Sequence, residues 1–201
     1  ADGQKFVYLP VFSENMRMRK FRILLLILAS AACTLGAQAA GPEIGTLMER
    51  ARDLFDYGRW SDARHEFLRA KAALTPSDRL LAQEVEFYLA ACAVELGSAD
   101  AEGALREFDE RYPGSVYAND VRFALGSFYC SAGNMKKARE AFEKTDYRAL
   151  SAPRREQYDI RMGYVEFGDG NYAKAYGYFD RIGSRSEYVD HARYYKAYID
   201  Y

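Results

Sequence analysis

Proline is scarce in this chain, with five in 201 residues, and so are histidine, with two, and tryptophan, with one. Few prolines mean few obligatory breaks, so helices can run uninterrupted. The two histidines, His65 and His191, stand more than 120 positions apart, and there is no HxxxH, HExxH or CxxC. Zinc sites built from sequence-local ligands are thereby excluded. There is no GxxxxGK[ST] loop; GDGN at 168–171 is a turn between helices. Neither sign of charge dominates, since 28 basic residues face 29 acidic ones, which argues against a nucleic-acid partner. No apolar run reaches the ~20 residues of a membrane-spanning helix.

Aromatic side chains are what the chain has in quantity: 17 tyrosines and 12 phenylalanines, in a composition 49% hydrophobic and 28% charged. That is a globular composition, and frequent alanine with little proline points to helices with large side chains between them.

The first 41 residues differ from the rest. Arg19, Lys20 and Arg22 form a basic start, positions 23–35 are almost wholly apolar, and Ala37-Gln38-Ala39 supplies a small-x-small pattern. This predicts a secretory signal peptide over 16–39, cleaved after Ala39. Its apolar run of about 13 residues is short for an anchor. Lipidation at Cys33, behind the poor lipobox Ser30-Ala31-Ala32, is the alternative. Residues 1–15 lack a basic opening and are read as an upstream artefact outside the fold. Removing residues 1–39 takes five of the 28 basic and two of the 29 acidic residues, leaving a net charge of −4. Cys92 and Cys130 stay in the exported part. Export permits a disulfide between them; packing as buried free thiols is the other expectation.

A phrase recurs along the remainder. GNMKKAREAF and GNYAKAYGYF each place alanine five residues, and phenylalanine nine residues, after glycine: Gly133, Ala138, Phe142 and Gly170, Ala175, Phe179. Gly58, Ala63 and Phe67 keep the same spacing, and Gly97, Ala104 and Phe108 keep it after a turn two residues longer. The phenylalanines are 41, 34 and 37 residues apart, which is the length of one helical hairpin. Seven residues before each glycine comes a small residue: Ala51, Ala90, Gly126 and Gly163. A small residue lets a neighbouring helix approach, and phenylalanine four residues after alanine fills the gap on the same face. The predicted pairs are 43–57 with 60–74, 77–96 with 99–112, 115–132 with 134–145 and 151–168 with 171–182, and a helix begins at 187.

These offsets resemble the tetratricopeptide repeat, a helix–turn–helix unit of 34 residues. The resemblance covers residues 43–201 in four copies. It departs from the pattern in its longer periods, in the missing terminal proline of the third and fourth units, and in a variable aromatic early in the first helix. The segment FDERYPGSVYANDVRFALGSFY is similar to tetratricopeptide proteins of bacterial envelopes, of the barrel-assembly lipoprotein and Tol-Pal coordinator type. There Pro113-Gly114 ends one helix and Ser115 is placed to cap the next. Ten of the 17 tyrosines lie from Tyr158 onward, a style similar to long Bacteroidetes-type envelope arrays. The expected fold is all-α, a right-handed solenoid of antiparallel helix pairs. Helix 187–201 reads as the first half of a fifth unit, in an array that continues further.

A solenoid offers a surface more readily than a catalytic centre. Neighbour-only packing keeps His191 away from Cys92, so no Cys–His nucleophile is expected, and no enzyme, cofactor or metal is inferred. RREQYDIR and KKAREAFEK are read as solvated, ion-paired faces. First helices line the concave side, which places Phe123, Ser127 and Cys130, then Ile160, Tyr164 and Phe167, then His191, Tyr194 and Tyr198 in a partner-binding groove. The expected function is a non-enzymatic scaffold of the periplasm, or of the periplasmic face of the outer membrane, that binds a peptide or protein. Membrane contact would come only by association or by lipidation. The alternatives are a docking arm of a larger envelope enzyme and a glycan-binding module.

Overall fold

The computed structural model describes residues 43–201. The expected signal peptide, its cleavage site after Ala39, Cys33 and residues 1–15 lie outside the described residues. Among the described residues all regular structure is helical: α1 (Ile44–Asp56), α2 (Trp60–Ala73), α3 (Arg79–Glu95), α4 (Ala101–Arg111), α5 (Ala118–Ser131), α6 (Met135–Glu143), a 3-10 turn (Tyr147–Ala149), α7 (Ala152–Gly168), α8 (Tyr172–Phe179) and α9 (Val189–Asp200). Helix ends fall within three residues of those read from the sequence.

Discrepancies of three residues occur at the end of α8, which stops at Phe179, and before α5. Ser115 is a turn residue and does not cap the helix: its Oγ accepts from the Tyr117 amide at 3.3 Å, and α5 starts at Ala118. Ser186 does the same for the Tyr188 amide at 3.2 Å before α9. In both places a short polar side chain closes a local turn and delays the helix by two or three residues.

Four hairpin glycines share one conformation. Gly58, Gly97, Gly133 and Gly170 have φ between 62° and 76°, where a side chain would strain the backbone. Each donates its amide three residues back, and the next residue donates five back, as in Gly133 to Cys130 (3.1 Å) and Asn134 to Tyr129 (2.9 Å). This closure satisfies carbonyls left open at the helix end and turns the chain at once.

The described chain divides into two compact units, residues 43–101 and 102–201. In the first, α1 packs on α2 and α2 on α3. Leu47, Met48, Ala51 and Phe55 turn one face of α1 inward at helical spacing. Phe67 of α2 is fully buried and stacks on Tyr88 of α3 with ring centroids 4.7 Å apart, while Phe55 meets Tyr88 edge-on at 5.4 Å.

In the second unit α5 pairs with α6 and α7 with α8, then α6 packs on α7, α8 on α9 and α5 on α7. Ala138, Phe142, Ala175 and Phe179 are buried. A Cβ on Gly126 would lie 2.5 Å from the Phe142 ring, and one on Gly163 would meet Phe179 closer still, so each phenylalanine occupies the space of a missing side chain. Its other side meets a tyrosine of the next first helix. Phe142 packs edge-on against Tyr158 at 5.2 Å, and Phe179 stacks on Tyr195 at 5.2 Å. Burying one such ring contributes roughly 1.5–3 kcal/mol. The register loosens only in α4, where Phe108 and Leu105 are buried but Ala104 is half-buried.

Candidate functional site

The expected groove residues separate into two groups. Phe123 (0% exposed), Ser127, Cys130 and Ile160 are buried and form no surface. Their placement in a groove is corrected by packing: α5 lies against α6 and α7, which buries Phe123, Ser127 and Cys130, and Ile160 joins a core with Ala175, Phe179, Ala192 and Tyr195 of α8 and α9. Phe123 lies 6.0 Å from Phe142, and the Arg154 guanidinium sits 5.1 Å above its ring.

The second group comes together on α7 and α9. Tyr164 and Phe167 are half-buried, His191 is exposed, and Tyr194 and Tyr198 are 61% and 60% exposed. Tyr195 is buried among them and acts as the hub. Its ring is 5.1 Å from Tyr164, 4.9 Å from Phe167 and 5.3 Å from Tyr194. Phe167 also meets Tyr198 at 5.4 Å, and Tyr164 meets His191 at 6.5 Å. His191, Tyr194 and Tyr198 follow i, i+3, i+7 spacing, so they form one outward stripe of α9 above this hub. A held aromatic ring offers contact area at little entropic cost.

The polar residues of α7 hold what the sequence reading missed. RREQYDIR is largely an interior segment: Arg154, Gln157, Asp159 and Arg161 are buried, and so is Glu166 one turn beyond the next glycine. The cause is that α7 packs against α5, α6 and α8 together, so helices cover most of its circumference. The charges are met by partners from those neighbours. Arg154 bonds Asp120 at 3.1 Å. Asp159 accepts from the Tyr147 hydroxyl at 2.8 Å and from Arg181 at 3.0 Å. Glu166 accepts from Arg139 and, at 2.8 Å, from Asn171, and Arg139 also reaches Asp169 at 2.7 Å.

Environment sets the protonation of these groups. Burial pushes the Asp159 carboxyl above the ordinary aspartate value, against the pull of Tyr147 and Arg181. Burial also pushes Glu166 up, but its bonds from Arg139 and Asn171 prevail and hold it below the ordinary glutamate value. Arg161 differs from the rest. It is 4% exposed, its Nη1 makes one long bond to the Ser127 carbonyl at 3.4 Å, and its Nε and Nη2 have no hydrogen-bond partner. The Ser127 hydroxyl is likewise buried without one.

A separate cleft of about 280 Å³ lies in the second unit, lined by residues of α4, α5 and α6 that include Arg106, Asp109, Arg122, Tyr129, Lys137 and Glu140. Its charges largely neutralise each other: Arg122 pairs with Asp109 at 2.7 Å, and Lys137 and the Tyr129 hydroxyl share Glu102 at 3.0 and 2.7 Å. Cys92 and Cys130 are free and buried, and burial pushes their thiols up to about 12 and about 11. Neither is a nucleophile at neutral pH while folded. Among the described residues no group of three or more His, Cys, Asp or Glu is placed to hold a metal ion, and no helix is long and apolar enough to cross a membrane.

Comparison with protein-family models, with curated proteins and with solved structures returns no match for this chain.

Proposed function

We propose that the helical hairpins of residues 43–201 are tetratricopeptide-type repeats stacking as a right-handed solenoid, and that the chain is an exported, non-enzymatic scaffold of the bacterial envelope. In this reading it binds a peptide or protein partner through the aromatic face of α7 and α9. The observation that carries the binding role is the stripe His191, Tyr194 and Tyr198, which is exposed yet braced from below by Tyr164, Tyr195 and Phe167 respectively. The recurrent glycine closure and the fitting of Phe142 and Phe179 against Gly126 and Gly163 support the repeat architecture. The basic-then-apolar start of the sequence supports export.

The test replaces the two most exposed rings. The doubly substituted full chain, Tyr194→Ser with Tyr198→Ser, should stay folded with at most a modest drop in melting temperature, because both rings are mostly exposed and each gives up one edge contact. It should lose at least ten-fold in affinity for partners captured from an envelope extract. Unchanged capture would reject this face. Exposed aromatic rings also suit sugar stacking, so a glycan array run in parallel decides for the module-type alternative if it binds and the protein capture does not.

A further inference from the structure

Among the described residues of the second unit, Arg161 is the buried charged side chain whose donors lack partners. A buried guanidinium cannot discard its proton, and holding a charge out of water without a counter-ion is strongly unfavourable. The other buried charges of α7 show how the fold meets that cost, each with a carboxylate or guanidinium from a neighbouring segment. Nearby carboxylates are committed: Asp120 to Arg154, Asp159 to Tyr147 and Arg181, and Glu166 to Arg139 and Asn171. Burial is the largest influence on Arg161 and pulls its guanidinium below the ordinary arginine value.

The open atoms have a definite shape. Nη1 is turned to the Ser127 carbonyl, and the two nitrogens left over are Nε and Nη2. Their N–H bonds run parallel along one edge of the guanidinium, the edge that grips two oxygens at once. The Ser127 hydroxyl, on the residue whose carbonyl Arg161 touches, adds a third unused donor. One net positive charge matches one carboxylate. A phosphate group, with a charge of about −1.5 to −2, would be left undercompensated here.

Tyr164 connects this point to the aromatic face. It lies one turn along α7 from Arg161, on the same side of the helix, and its ring touches both Tyr195 and His191. The geometry points to Arg161, with Ser127, as the site that receives a carboxylate of a peptide lying on the α7–α9 aromatic face, the Tyr164 ring moving aside to admit it. This deepens the binding role proposed above and rests on it. Its ligand class is a peptide with apolar or aromatic residues around one carboxylate, which is either an acidic side chain or the chain end.

Fluorescence anisotropy on the full chain tests it with three labelled pools of randomised, aromatic-rich octapeptides. One pool carries a central Glu and an amidated end. The second has a free terminal carboxylate and no acidic side chain. The third is neutral, with a central Gln and an amidated end. One or both carboxylate pools should bind at least ten-fold tighter than the neutral pool, and the tighter one identifies the source of the carboxylate. Arg161→Met keeps the length of the stem and removes the unmet charge, so its melting temperature should be no lower than wild type. It should erase the ten-fold preference. Equal binding of all three pools by the wild type, or a preference that survives in Arg161→Met, overturns the site and leaves the aromatic face standing. If no pool binds, the aromatic-face reading fails, and the carboxylate site fails with it.

Discussion

Adding a methyl group to Gly126 would place a carbon 2.5 Å from the Phe142 ring, well inside contact distance. The ring cannot retreat, since Tyr158 lies on one side at 5.2 Å and Phe123 on another at 6.0 Å. Gly126→Ala should therefore destabilise by about 1–3 kcal/mol, as overpacking does. Phe142→Ala should cost about 3–5 kcal/mol as a buried aromatic truncation. In urea melts the pair Gly126→Ala with Phe142→Leu should cost less than the sum of its single changes, because the smaller side chain yields the space that the methyl group needs. Strict additivity would mean the two residues do not compete for one volume.

Glu166 offers a second test at this scale. Its folded-state value lies below the ordinary glutamate value of 4.5, held there by Arg139 and Asn171 against burial. As pH falls, the unfolded chain takes up this proton first, so the stability Glu166 contributes is complete above about 4.5 and is lost as the pH drops through its folded value. Asp159 runs the other way. Its raised value lets the folded form bind its proton first, so mild acid favours folding at that group. Glu166→Gln should thus flatten the fall in melting temperature as the pH drops below the ordinary glutamate value of 4.5. An unchanged slope would mean Glu166 does not carry it.

At the scale of elements, α7 is where sequence and structure part company. Hairpin lengths, turn glycines and the buried alanine–phenylalanine pairs were legible because small and large residues recur at fixed offsets and sit on one face. The interior of α7 was not. Its charges fall on every side of the helix, and periodicity marks a buried face only where apolar residues line it. What buries Arg154, Asp159 and Arg161 is the number of helices around α7, which no single-helix pattern encodes. The aromatic surface was half legible. Tyr194 and Tyr198 are exposed as expected, whereas Phe123 and Ser127 went inward because α5 lies against α7.

The polar ties of α7 also carry a prediction for the element. Asp159 joins it to the 3-10 turn through Tyr147 and to the turn after α8 through Arg181. Tyr147→Phe removes one hydrogen bond and should cost about 1 kcal/mol. Asp159→Ala strips the acceptor from both partners and should cost about 2–4 kcal/mol, with faster amide exchange in α7 and the turn before it. Equal losses for the two variants would mean that Arg181 adds nothing.

For the molecule as a whole, the distribution of cysteine is informative. Each compact unit holds one free, buried thiol, Cys92 in residues 43–101 and Cys130 in residues 102–201, both raised far above the ordinary thiol value of 9.0. While its unit is closed, such a thiol is shielded and almost wholly protonated; on opening it regains ordinary reactivity. A maleimide or disulfide reagent should consequently label the native Cys33→Ser protein only as fast as its units breathe. Phe67→Ala should accelerate capture of Cys92, and Phe142→Ala that of Cys130, each by ten-fold or more as read by mass spectrometry. The chain thus contains two native stopwatches, one per unit, that time rare openings without any added dye or engineered reporter.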